Sequence, residues 1–112
     1  MDGCLFCRIA AGEVPAKIVY QDDLVVAFRD INPVAPTHIL IIPRKHLADL
    51  REKEAAAPEL WGAMIGAVQH LALTEGVSAE GFRIVANTGA KAGQSIFHLH
   101  LHLLGGREFN SL

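Results

Sequence analysis

The run Ser95-Ile96-Phe97-His98-Leu99-His100-Leu101-His102-Leu103-Leu104 alternates imidazole with hydrocarbon. A β-strand sends successive side chains to opposite faces. Period two therefore puts His98, His100 and His102 on one face and Phe97, Leu99, Leu101 and Leu103 on the other. The apolar face demands a core. The other face carries the side chain that changes protonation near neutral pH, so three such residues in a row suit chemistry better than structure.

The rest of the chain supplies that core. Pro58 to Glu75 carries Leu60, Trp61, Met64, Ile65, Val68, Leu71 and Ala72 at three- and four-residue steps. That spacing predicts a long helix with Pro58 in its first turn and Gly76 as its stop. Leu5 to Ala11 reads as a short helix ended by Gly12 and Pro15. Lys17 to Gln21 and Leu24 to Arg29 read as strands around an Asp22-Asp23 turn, and His38 to Ile42 as a strand ended by Pro43. Asp30 to Pro36, with two prolines and an asparagine, reads as a loop. Phe82 to Ala86 and Ile96 to Leu104 read as further strands joined by the loop Asn87 to Ser95. Runs of strands parted by one long helix predict an α+β fold with an antiparallel sheet covered on one face.

A length of 112 residues predicts a single domain over 1–112. The hydrophobic share, 51%, and mean hydropathy, +0.28, are high for so small a chain and suggest a second subunit over part of its surface. A net charge of −2 argues against nucleic acid as a partner. No apolar run approaches the ~20 residues that span a bilayer. The start, MDGCLFCRIAAGE, lacks a basic-then-apolar leader, so the expected location is the cytoplasm, with no membrane partner.

The histidine run admits two chemistries. Zinc needs nitrogen ligands at ~2.0–2.1 Å. Same-face neighbours on a strand lie ~6.6–6.8 Å apart, so adjacent histidines could share an ion but all three could not. The alternative is nucleophilic and acid–base work at a phosphoryl group: one imidazole attacks phosphorus while its neighbours orient it or protonate a leaving group. The preceding loop, Gly89-Ala90-Lys91-Ala92-Gly93-Gln94-Ser95, fits that use, because glycines let backbone N–H groups approach an anion and Ser95 offers a hydroxyl.

The string HLHLHLL resembles the His-x-His-x-His-apolar-apolar signature of the histidine triad (HIT) superfamily. FRDINPVAPTHILIIPRKH and NTGAKAGQSIFHLHLHLLGGR resemble its two principal motifs, and the likeness extends from LFCRIAAGEVPAKIVYQDD onward, most of all to the Hint branch. The resemblance implies a five-stranded antiparallel sheet with one long and one short helix, pairing into a ten-stranded sheet in a homodimer. It implies a nucleotide hydrolase that cleaves the bond to the α-phosphate of AMP conjugates, as a purine nucleoside phosphoramidase does. His100 would be the nucleophile that carries the nucleotidyl group. His102 would lie at the phosphate and leaving group, His98 would orient His100 through its backbone, and His38 would support the nucleophile from the adjacent strand. Asn87, Gly93 and Ser95 match phosphate or leaving-group contacts, and Asp30 matches the residue that takes the ribose hydroxyls. Leu5, Phe6, Ile9, Phe28 and Ile31 match the slot for a purine base. Plainer readings stay open for several: core packing for Phe6, Phe28 and Ile31, a turn for Asp30, a strand position for His38. The implied chemistry requires no cofactor.

Cys4 and Cys7 have zinc-ligand spacing but make only half a ligand set. Bacterial relatives with such a pair complete it with two histidines, here His46 and His98, which implies a structural zinc; free thiols are the alternative. His70, on the long helix, reads as a surface or packed residue. GGREFNSL stands where many Hint proteins carry a Trp-Pro-Pro-Gly tail, which leaves the leaving-group preference open. Two rival functions remain: a dinucleoside polyphosphate hydrolase of the Fhit-like branch, since Gln94 lies four residues before His98, and a nucleotide-binding interaction module with incidental hydrolysis.

Overall fold

The computed structural model describes residues 3–112. Helix α1 (Leu5–Ala10) leads into strands β1 (Ile18–Gln21), β2 (Val25–Arg29) and β3 (Thr37–Pro43). A 3-10 turn at Lys53–Ala56 precedes helix α2 (Pro58–Thr74). Strand β4 (Phe82–Val85), a second 3-10 turn at Ala90–Ala92 and strand β5 (Leu101–Gly105) complete the order. The strands form one antiparallel sheet, β1-β2-β3-β5-β4. Most expected elements differ from these only at their ends, where helices and strands fray.

The pleat sorts the core into two layers. Val25, Ala27, Ile39, Ile41, Leu101 and Leu103 pack with Met64, Ala67, Val68 and Leu71 of α2. Val26, Phe28, Leu40 and Ile42 pack on the opposite face with Phe6 and Ile9 of α1. The expectation of a sheet covered on one face is thereby corrected. Every residue of β3 is buried, and a strand buried on both sides reads as the unbroken apolar run Ile39-Leu40-Ile41-Ile42-Pro43 rather than as an alternation. Of the α2 stripe, Met64 and Val68 face the sheet while Ile65 stays exposed. Gly105 meets Val77 so closely that a Cβ there would lie 2.8 Å from it, which fixes the end of β5 against the segment after α2.

The strand expected over Ile96–Leu104 is the second correction. Its ladder begins only at Leu101, opposite Ile41. Beyond that point β3 runs into Pro43, which has no N–H to give. The Pro43 carbonyl instead accepts from the His98 ring at 2.8 Å, and Leu99 N–H donates to the Leu47 carbonyl at 2.6 Å.

Glu75 caps α2 at its C-terminal end, where the helix dipole disfavours a carboxylate. Arg29 answers it with two hydrogen bonds of 2.8 Å, Thr37 adds one of 3.3 Å, and the guanidinium above all holds the Glu75 carboxyl below its usual range. Arg29→Ala is expected to cost about 1–2 kcal/mol, discounted for the partial exposure of Arg29. The added change Glu75→Gln should restore part of the loss, because it removes the orphaned charge. Urea unfolding of the single and double variants checks this, and equal stability of Arg29→Ala and wild type would refute it.

Candidate active site and metal tetrad

His102 lies within β5 on the face away from α2, beside Leu40 of β3 and Val85 of β4. His100 precedes the strand with its ring 5.0 Å from that of His102. Leu99, Leu101 and Leu103 are buried in the α2 layer, so the alternation sorts the side chains as expected, although the ladder covers only half of the run. His98 departs from the expected row of three rings. It is wholly buried under α1, where Phe6 stands edge-on to both His98 and His100, and it points at Cys4, Cys7 and His46. The open surface therefore presents two imidazoles.

Hydrogen bonds fix which nitrogen carries each proton. A carbonyl only accepts, so His100 Nδ1, 2.7 Å from the His98 carbonyl, must be the protonated nitrogen. In the neutral ring His100 Nε2 is then a lone pair. Val34 N–H donates to His38 Nδ1 at 3.1 Å, which leaves the proton of neutral His38 on Nε2. That nitrogen is 2.9 Å from His102 Nδ1 and 3.4 Å from Asp30 Oδ2, and the shorter contact takes the hydrogen. His102 Nδ1 therefore accepts, and His102 Nε2 carries the remaining hydrogen. Two adjacent imidazoles thus offer opposite Nε2 states, a lone pair on His100 and a donor on His102. His38 meets His102, not His100, which differs from the support of the nucleophile expected of it.

Burial keeps this relay neutral. Desolvation first, then the nearby His100 and His38, lowers the His102 pKa to about 4, and desolvation also lowers that of His38 despite Asp30. The unfolded rings take up protons near 6.5, well before the folded ones. Between those values the unfolded state binds more protons, so stability falls as pH drops from about 6.5 toward 4. The melting temperature is expected to be clearly lower at pH 5 than at pH 7.5, and His102→Asn should flatten that slope. An unchanged wild-type melting temperature across this range would contradict the assignment.

The remaining expected contacts surround these rings unevenly. Asp30 is half-buried, and its Oδ1 accepts from Asn32 N at 2.8 Å, so the turn role is real and coexists with the approach to His38. Phe6, Ile9 and Phe28 are core residues of the α1 layer, whereas Leu5 and Ile31 are exposed. Gly89 and Gly93, both at positive φ, bracket the loop before the histidines, and Asn87 Nδ2 lies beside Gly93. Ser95 is exposed and lines a cavity of about 500 Å³ with Cys4, Leu5, His46, Ile96 and Phe97.

Sequence reasoning missed what holds that loop. Gln94 is buried, accepts from Gly89 N, and donates to the Ala48 and Ile96 carbonyls. Its spacing from His98 was the only signal, and it belongs to a brace. The acceptor role of the Pro43 carbonyl and the donor role of Val34 N–H are main-chain features with no sequence mark. His70 is exposed and lies against Tyr20, as a surface residue.

Cys4, Cys7, His46 and His98 converge: their ligand atoms lie within 4.8 Å of one another. His98 Nδ1 is 3.3 Å from Cys4 Sγ and 3.5 Å from Cys7 Sγ, and His46 Nδ1 is 3.3 Å from Cys7 Sγ. Tetrahedral zinc, with bonds of ~2.3 Å to sulfur and ~2.0–2.1 Å to nitrogen, needs ligand atoms spaced on this scale. The bond from His98 Nε2 to the Pro43 carbonyl directs the lone pair to Nδ1, as an outer-shell partner of a metal ligand does. Asp30, His38 and His102 also lie close enough to surround an ion. There the donors do not fit, because the Val34 bond leaves His38 Nε2 protonated and without a lone pair.

Comparison with known proteins agrees with this geometry. The HIT domain family model matches residues 11–109. The purine nucleoside phosphoramidase of Escherichia coli (strain K12) is 47% identical over 103 residues, which cover 92% of this chain and 87% of that protein. The crystal structure of a HIT family hydrolase from Legionella pneumophila Philadelphia 1 superposes with a TM-score of 0.92 at 47% identity, covering 96% of each chain. A Zn-bound histidine triad family protein from Mycobacterium smegmatis superposes with a TM-score of 0.82 at 34% identity, covering 95% of this chain and 76% of that one.

Proposed function

The chain belongs to the HIT domain family, and from that membership we propose that it is a nucleotide hydrolase acting on purine nucleoside phosphoramidates, AMP joined to an amine. One observation carries the reading: His100 and His102 stand side by side with opposite Nε2 states. His100 Nε2 attacks the α-phosphorus and the P–N bond to the amine breaks; the departing nitrogen is held by a hydrogen bond from His102 Nε2–H and leaves with a proton taken from solvent. Water then attacks the nucleotidyl-His100, releases AMP and returns that proton to solvent. Phosphoryl charge is met by the His102 N–H, by Ser95 and Asn87, and by N–H groups of the loop that includes Gly93, so this step draws on no cofactor. Asp30 takes the ribose hydroxyls. The base lies on Phe6, Ile9 and Phe28 between Leu5 and Ile31.

Cys4, Cys7, His46 and His98 hold a structural zinc that ties α1 to the sheet. The exposed edge strand β4, with Phe82 and Ile84 uncovered, supports pairing with a second copy into a ten-stranded sheet. The single domain over 1–112 acts in the cytoplasm, with no nucleic acid or membrane partner; among the described residues no helix is long and apolar enough to cross a bilayer.

The deciding experiment compares turnover of an adenosine phosphoramidate with that of diadenosine polyphosphate. Preference for the phosphoramidate is expected. Preference for the dinucleotide would overturn the substrate assignment, and Gln94, fully engaged in its loop, gives no support to that alternative.

A further inference from the structure

Val34 ties the histidine relay to a side chain the mechanism has not used. Its N–H donates to His38 Nδ1 at 3.1 Å, and its carbonyl accepts from Arg107 Nε at 2.9 Å. Val34 is exposed, in a loop outside the sheet ladder, so little else fixes its backbone. Arg107 is itself held in place. Its guanidinium stacks on Phe109, 4.3 Å from the ring centroid, and its Nη1 donates to the Glu108 carbonyl at 2.7 Å. Arg83 of β4 stands over the same ring at 5.0 Å. Among the described residues Arg107 makes no ion pair, so its planar fork is committed to these contacts.

We infer that Arg107 is a positioning residue for His102: it holds Val34 so that the Val34 N–H stays on His38 Nδ1, which keeps the hydrogen of His102 on Nε2. The inference rests on the proposed role of His102 as the hydrogen-bond donor to the leaving amine. Without the Val34 donor, His38 Nδ1 can take the proton, and His38 Nε2 becomes a lone pair. The bond between the two rings then reverses. His102 Nδ1 donates to His38 Nε2, and His102 Nε2 loses its hydrogen. Each ring keeps one proton, so nothing enters or leaves the pair. An acceptor now faces the leaving amine where a donor is needed.

Imidazole nitrogen NMR on the ¹⁵N-labelled full chain without substrate, together with steady-state kinetics, tests this. Wild type should show His102 protonated at Nε2. Arg107→Ala, a change at an exposed position that leaves the core intact, should move a large share of His102 to the Nδ1-protonated form. Its kcat should fall about ten-fold with KM nearly unchanged, a partial loss of the roughly 10²–10³ that one preorganised hydrogen-bond donor contributes. Arg107→Lys should restore part of both, and Phe109→Ala should shift both in the same direction more weakly. Wild-type imidazole nitrogens in Arg107→Ala overturn the inference whatever the rate does, as does a wild-type His102 unprotonated at Nε2. A tautomer shift with undiminished kcat, or in a protein inactive on phosphoramidates, upholds the relay and counts against the proposed reaction instead.

Discussion

Turnover of an adenosine phosphoramidate by a His100→Ala protein is expected to fall by about 10⁴-fold or more, the scale on which enzymes lose rate with their nucleophile. The AMP adduct that rapid quenching and mass measurement should find on the wild-type chain is expected to vanish with it. The size follows from the assigned protons. His100 Nε2 is the lone pair left free by the bond from Nδ1 to the His98 carbonyl, whereas His102 Nε2 and His38 Nε2 both carry hydrogen. No neighbouring ring can replace the nucleophile without reversing that network. His102→Ala should cost less, about 10²–10³-fold, because it removes a hydrogen-bond donor and leaves the attacking atom. Melting of the His100→Ala variant should stay near wild type, since that ring belongs to neither core cluster. A His100→Ala protein that turns over at the wild-type rate removes the mechanism altogether.

The fold was legible because its signals are local. The period of α2, the alternation at Leu99, Leu101 and Leu103, and the punctuation at Pro43 and Gly76 each follow from short-range geometry. What could not be read was competition for the same groups. The alternation at His98 is as clean as at His102, yet the ring turns inward because α1 lies over it and Pro43 supplies an acceptor where a ladder bond would be. The tautomers were equally hidden. They depend on two main-chain groups, the Val34 N–H and the His98 carbonyl, whose positions are set by a loop and a strand end rather than by residue type. The Cys4, Cys7, His46 and His98 set was reached through resemblance, and its convergence is a property of the folded chain.

Chelation of the tetrad's metal is expected to lower the melting temperature by roughly 10 °C or more. An ion held at 1,000 times its dissociation constant contributes about 4 kcal/mol, and 1 kcal/mol moves a domain of this size by about 4 °C or more. Helix α1 has six residues, too few to persist on its own hydrogen bonds, and its packing through Phe6 and Ile9 is modest. The four ligands join the start of α1 to the segment after β3 and to the histidine run, three stretches otherwise far apart in sequence. The cavity lined by Cys4, His46 and Ser95 gives a chelator access. Burial and then the hydrogen bond with Cys4 raise the Cys7 pKa, so metal binding must displace a tightly held proton and should weaken in acid. Cys7→Ser should reproduce the destabilisation without chelator. Elemental analysis should find one zinc per chain in protein purified from zinc-containing medium, and a chain that takes up none on titration would refute the site. Activity should fall along with stability, because His98 faces both ways: its Nδ1 lies among the thiols, while its carbonyl holds the Nδ1 proton of His100 and so keeps the attacking nitrogen bare.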